Sequence, residues 1–126
     1  MQVFQTRRFA RFARNELIAD SSLREAIARA ERGLIDADLG GGLIKQRVAR
    51  PGKGRSGGYR VIVAYRSSAR AVFLLGFAKS ERENIGPDEL VLLRDLAGNW
   101  LGADAVRIRK EIEAGNLQEI EDGKEA

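Results

Sequence analysis

Three runs of sequence lie between residues 43 and 78: Leu43-Ile44-Lys45-Gln46-Arg47-Val48-Ala49-Arg50, then Tyr59-Arg60-Val61-Ile62-Val63-Ala64-Tyr65-Arg66, then Arg70-Ala71-Val72-Phe73-Leu74-Leu75-Gly76-Phe77-Ala78. In the first, Ile44 and Val48 fall on one side while Lys45, Arg47 and Ala49 fall on the other. That period of two predicts a half-exposed strand with a basic outer face. The second is β-branched and aromatic, which suits a pleated surface. The third is almost continuously apolar and predicts a central strand covered on both faces. Pro51-Gly52-Lys53-Gly54-Arg55-Ser56-Gly57-Gly58 reads as a glycine-rich loop between the first two, and Ser67-Ser68-Ala69 as a short turn between the last two. Three consecutive strands with short connections predict an antiparallel meander.

Upstream of this meander, Gly40-Gly41-Gly42 is a breaker. Before it, Leu23, Ala26, Ile27 and Ala30 make a helical stripe, with Gly33 suited to the stop. Ser22 and Glu25 have capping-box spacing at its start. Thr6 suits the N-cap of an earlier helix carrying Phe9, Phe12 and Ala13 on one face. Residues 2–5 can form a short first strand. Downstream, Gly86-Pro87-Asp88-Glu89 opens a helix, because Pro fits the first turn and acids favour its positive end. Leu90, Leu93, Ala97 and Trp100 face one way until Gly102. A further helix over 104–114 sets Ala105, Ile108 and Ile112 in register, with Gly115 as its stop, and the acidic residues 117–126 read as a frayed tail. The expected fold is α+β: an N-terminal helical hairpin packed on a small antiparallel β-sheet, with C-terminal helices. The main domain is expected over residues 1–102, with a helical extension and acidic tail over 103–126.

The chain has 126 residues, so one domain is the expectation. It has neither His nor Cys. That excludes disulfides, thiolate nucleophiles, Ser–His–Asp triads and sites built on Cys or His metal ligands. No metal and no cofactor is expected. No continuous apolar core marks a signal peptide in residues 1–20, since Arg7, Arg8, Arg11 and Arg14 interrupt it. The longest clean apolar run, Ala71–Phe77, falls far short of the ~20 residues that span a bilayer. The expected partners include no membrane, and the expected location is cytoplasmic.

The net charge of +4 hides an asymmetry. Residues 1–82 carry 17 basic and 7 acidic side chains, whereas residues 83–126 carry 5 and 11. Between 45 and 82 there are 10 basic groups and one acid, Glu81. Such a block points to a polyanion. A nucleic acid, an acidic protein and the chain's own acidic C-terminal half all fit that description.

The glycine-rich loop is not a Walker motif, because Gly54 follows Lys53 and a strand rather than a helix comes next. Its glycines still allow close backbone approach, and Lys53 and Arg55 can contact phosphate. Lys45 and Arg47 leave the outer face of the first strand, Arg60 begins the second, and Lys79 ends the third. In a meander these cations can converge. Crowded cations disfavour one another's protonation, so a Lys among them becomes a better base. Arg stays charged and donates two bonds to a phosphate. Lys taking the proton of an RNA 2′-OH, with Arg stabilising the crowded phosphorane, is a route to cleavage without His. The expected catalytic residues are Arg60, Lys79, Lys53 and Arg55; the expected RNA contacts are Lys45, Arg47, Arg50, Tyr59 and Arg82. Tyr59 can stack on a base, although its alternation with Val61, Val63 and Tyr65 equally fits the core. Glu81 and Glu83 can serve as acid–base groups or orient arginines.

The stretches Ala37–Arg47, Gly54–Ile62 and Gly76–Ile85, with Gly57-Gly58-Tyr59-Arg60 and Phe77-Ala78-Lys79-Ser80-Glu81-Arg82-Glu83-Asn84, resemble the RelE/ParE superfamily of bacterial toxin–antitoxin modules, nearest its HigB-like, RelE-type branch. The resemblance covers about residues 20–100. It implies a RelE-like fold with a basic cleft and a toxin that cleaves mRNA in the ribosomal A site, held inactive by a cognate antitoxin of helix-turn-helix type. On this resemblance Arg60 matches the arginine that holds the scissile phosphate, and Lys79 the basic position ending the last long strand. The Tyr or His that some members place near the end of the site has no counterpart at Asn84-Ile85. A ParE-like gyrase inhibitor that cleaves nothing, and an RNA-binding module without catalysis, are the alternatives.

Overall fold

The computed structural model describes residues 1–50, 54–82 and 84–121. The chain runs β1 (Gln2–Thr6), α1 (Arg7–Asn15), α2 (Asp20–Glu31), β2 (Ala37–Gly40), β3 (Leu43–Arg50), β4 (Gly54–Arg66), β5 (Arg70–Ala78), α3 (Pro87–Gly102), α4 (Ala105–Glu113) and β6 (Leu117–Glu119). The six strands form one sheet in the order β2-β3-β4-β5-β1-β6.

The meander of β3, β4 and β5 is antiparallel throughout, as its short connections require. The architecture around it corrects the expected one. The chain opens with a strand rather than a helical hairpin, and the sheet is mixed: β1 pairs parallel with β5, while β6 adds antiparallel to β1. A strand of five residues carries no mark of the distant partner it will choose. The supposed frayed tail also holds β6, because Leu117 and Ile120 are apolar and both become buried. β4 starts at Gly54, inside the stretch expected as loop.

The helices form two layers, one on each face of the sheet. Phe9 and Ala13 of α1 join Leu23, Ala26, Ile27 and Ala30 of α2 over one face, against Ile44, Val48, Tyr59, Val61, Val63 and Phe73. Leu93, Ala97 and Leu101 of α3 and Ile108 of α4 cover the other, against Leu43, Ile62, Ala64, Val72 and Leu75. Burial on both faces is what the uninterrupted apolar runs of β4 and β5 demand. The register shifts between Ile62 and Val63 against β5, leaving Leu74 as the extra residue. Beyond this bulge Leu75 and Phe77 stay on the α3 face with Arg60 and Ile62.

Local chemistry follows the sequence in most places. Thr6 caps α1, its hydroxyl accepting the Phe9 amide at 3.2 Å. Gly86 is the N-cap of α3 and Pro87 opens its first turn. The capping box at Ser22 does not form: α2 starts earlier, at Asp20, with Ala19 in the cap position. Glu25 turns instead to Arg29, at 2.8 Å. Gly40, Gly41 and Gly42 all have positive φ (81°, 63° and 82°), which turns the chain from β2 into β3.

Candidate nucleic-acid interface

The register of the meander decides which cations meet. Arg47 lies opposite Arg60, and Arg60 lies opposite Phe77, so one row crosses three strands. Directly opposed residues share a face. The Lys79 amide donates to the Gly58 carbonyl at 3.1 Å, continuing the β4–β5 ladder past the end of β5. Alternation from Phe77 therefore puts the Lys79 side chain on the same face, where it is exposed.

Arg47 is held by its backbone from outside the sheet. Its N–H donates to Asp36 Oδ2 at 2.7 Å, and its carbonyl accepts from Arg29 Nη2. Both groups of a strand residue point to the same side, so at Arg47 they point away from β4. The Arg47–Arg60 pair is then the non-hydrogen-bonded kind, with Cα atoms only ~4.5 Å apart. Two like charges directly opposed destabilise a sheet by up to about 1 kcal/mol. An anion seated between them reverses that sign. Arg60 is only 8% exposed, whereas Arg47 and Lys79 are open to solvent.

The grip on Arg47 belongs to a buried polar network. Arg29, 5% exposed, pairs with Glu25 at 2.8 Å and with Asp36 at 3.5 Å. Gln46, with no exposed surface, accepts the Asp36 amide at 2.7 Å and donates to the carbonyls of Ala26 (2.9 Å) and Leu34 (3.2 Å). Side chains thus take over the outer edge of β3 where β2, paired only with residues 43–45, has ended.

Two further cations border the row. The Arg82 guanidinium lies 4.7 Å from the centroid of the Phe77 ring and makes a two-pronged pair with Glu89, at 2.9 and 3.2 Å. Those bonds hold the Glu89 carboxyl below the usual carboxylate range, with lesser help from the charges of Arg82 and Arg8. Lys45 Nζ donates to Asn84 Oδ1 at 3.3 Å. Lys45, Arg47, Arg60, Lys79 and Arg82 thus gather at one end of the α3 face.

Arg50 and Tyr59 lie on the opposite face. The register shift after Val48 turns Arg50 towards Tyr59, its guanidinium 5.6 Å from the ring centroid. Tyr59 is 2% exposed, stands edge-on to Phe12, and donates its hydroxyl to the Glu16 carbonyl at 3.4 Å. Burial pushes its phenol pKa up. Adjacent strand residues point to opposite faces, so Tyr59 and Arg60 cannot line one surface. Lys53, Glu83 and the side chain of Arg55 lie outside the described residues. Phe77, Glu89 and Asn84 were not anticipated. The alternation of Phe77 with Lys79 was a signal for the first; the other two are brought in by the turn after β5.

The model of the RelE toxin of RelE/RelB toxin–antitoxin systems matches residues 1–120. The chain belongs to the RelE toxin family. Its place there makes it a toxin whose partner is an antitoxin. The match runs past residue 102 and takes in α4 and β6, whose Ile108 and Leu117 sit in the same core as α3. No curated protein matches the chain. Among the described residues no helix is long and apolar enough to cross a membrane.

Proposed function

We propose that this RelE-family toxin is a cytoplasmic endoribonuclease that cleaves mRNA in the ribosomal A site, of the HigB-like type, and that a helix-turn-helix antitoxin silences it. The observation that carries the proposal is the opposed pair Arg47–Arg60, beside Lys79, on a sheet face at the end that α3 leaves open. A scissile phosphate fits between these groups. Arg60, fixed by burial, donates to the non-bridging oxygens, and its charge is worth most where water is scarce. Lys79, on the same face, is assigned the proton exchange. The 2′-oxygen attacks phosphorus as its proton is taken, the P–O5′ bond breaks, and the leaving oxygen gains a proton. The products are a 2′,3′-cyclic phosphate and a 5′-hydroxyl. Arg47 and Lys45 bind the flanking backbone, Arg82 on Phe77 borders the strand, and Lys53 and Arg55 complete the catalytic set that this reading assigns. Arg50 and Tyr59 support this end from behind.

The test is a map of mRNA 5′ ends after brief induction. Wild type is expected to give new ends within reading frames. Arg60→Ala and Lys79→Ala are each expected to lower cleavage by about 10²–10³-fold. Because Arg60 is buried, Arg60→Lys accompanies it as a variant that keeps the charge and loses the two-pronged geometry. Full cleavage by all three folded variants overturns the site. DNA damage with intact message points to a gyrase inhibitor instead.

A further inference from the structure

β2 ends too early to hold Arg47. In the β2–β3 register Ala37 lies opposite Lys45, so a strand prolonged backwards by two residues would set Ile35 opposite Arg47. Its backbone would then take the Arg47 N–H and carbonyl, as an antiparallel neighbour does. The chain does something else. Asp36 Oδ2 accepts the N–H at 2.7 Å and Arg29 donates to the carbonyl, so two side chains stand in for a strand. Beside them opens a cleft of about 300 Å³ lined by Arg29, Leu34, Ile35, Asp36 and Arg47.

By charge alone Asp36 is out of place, because an acid beside an anion seat repels the ligand. Its carboxylate is spent on the Arg47 backbone and on Arg29, at 3.5 Å, and no described acid pairs with the Arg47 guanidinium. Stability is a weak reason for this network, since desolvation offsets the attraction within a buried ion pair. Geometry is a stronger one. Arg47 stands directly opposite Arg60, and like charges in that position repel. On an edge held only by water, β3 relieves the repulsion by moving outward. Gripped at both its N–H and its carbonyl, Arg47 stays where it is.

We propose that Asp36, backed by Arg29, is a positioning residue: it holds Arg47 across from Arg60 against their repulsion and so sets the width of the phosphate seat before RNA arrives. The proposal rests on that pair being the seat. Asp36 acts through Arg47 and needs no contact with the substrate. Donors fixed in advance stabilise developing charge without having to move as it forms. A misplacement of about 1 Å can cost on the order of 10²-fold in rate.

The experiment is a cycle of Asp36→Ala, Arg47→Ala and the double variant, with Asp36→Asn beside it, in the full-length protein. Melting temperature checks that each is folded. The Asp36 side chain is 26% exposed, and its loss leaves Arg29 paired with Glu25. Two readouts run in parallel: cleavage of message on ribosomes, and affinity for a short 2′-O-methyl RNA, which cannot be cut. Asp36→Ala is expected to lower cleavage by about 10–10²-fold and to weaken binding by roughly threefold or more, although it removes a negative charge. Asp36→Asn, whose amide oxygen still accepts the Arg47 N–H, is expected to stay within about threefold of wild type. In the Arg47→Ala background, Asp36→Ala is expected to change neither readout, because nothing is left for it to position. Equal losses in both backgrounds mark a merely structural role and overturn the proposal. So does tighter binding by Asp36→Ala, the sign that charge alone dictates, and so does wild-type behaviour of that variant. A wild type that binds the RNA and leaves message whole sinks the cleavage reading, and the cycle in affinity then still decides this one.

Discussion

Gly76 shows how one missing side chain positions a helix. A Cβ built there would lie 2.3 Å from Cε2 and 2.6 Å from Cδ2 of Phe12. The ring is therefore laid directly on the β5 backbone, and α1 sits as low on the sheet as it can. Phe9, at 5.0 Å between centroids, packs on Phe73 in the same layer. Gly76→Ala is expected to cost about 1–3 kcal/mol, the usual range for overpacking. In a Phe12→Leu background the same change is expected to cost much less, since contacting residues are not additive. Denaturant melts of the four proteins measure the coupling; equal costs in both backgrounds would refute the close-approach account. The apolar run predicted β5, yet it did not show why a glycine interrupts it. Arg60 and Lys79 were likewise legible as strand-end cations, whereas the Arg29–Asp36 clamp on Arg47 joins groups no local pattern connects.

Elements whose partners are close in sequence were the legible ones. β3, β4 and β5 announce themselves by period and composition, and short turns leave them little choice of pairing. α3 and α4 carry their own start and stop residues. β1 and β6 differ: their few residues pair across most of the chain's length, and pairing depends on apolar groups that meet only once the layers form. β6 matters beyond its size. It covers the outer edge of β1, and its Leu117 is 3% exposed within the α3–α4 core. Leu117→Ala is expected to destabilise by about 2–5 kcal/mol, as for other buried leucines. Amide exchange supplies a sharper readout. The Arg7 amide, bonded to the Asn116 carbonyl, the β6 amides, and that of Ile120 just after them, on the Val3 carbonyl, are expected to lose protection before β4 does. Uniform loss across the sheet would show that β6 is not a separable unit.

Across the whole molecule, stability is tied to acid through two carboxylates at opposite ends of the sheet. Glu31 accepts from the Tyr65 hydroxyl, from Ser67 Oγ at 3.1 Å and from the Ser68 amide at 3.1 Å, fastening the β4–β5 turn to α2. The Tyr65 bond, foremost, holds the Glu31 carboxyl below its ordinary 4.5. Glu89, at the far end of β5, is lowered from the same value by Arg82. Depressed folded-state values mean that both groups stabilise the fold fully above about pH 4.5 and cease to as pH falls through their folded pKa. With no His in the chain, no side chain of ordinary pKa near neutrality changes charge between pH 7 and 5.5. Below that range the 18 carboxylates neutralise while 22 cations remain, so self-repulsion adds to the loss. The melting temperature is expected to stay flat from pH 7 to 5.5 and to fall steeply below about 4.5. Glu31→Gln/Glu89→Gln is expected to melt lower at pH 7 and to fall less steeply in acid, the two curves converging near pH 3. Parallel curves would mean that these two carboxylates do not carry the acid response.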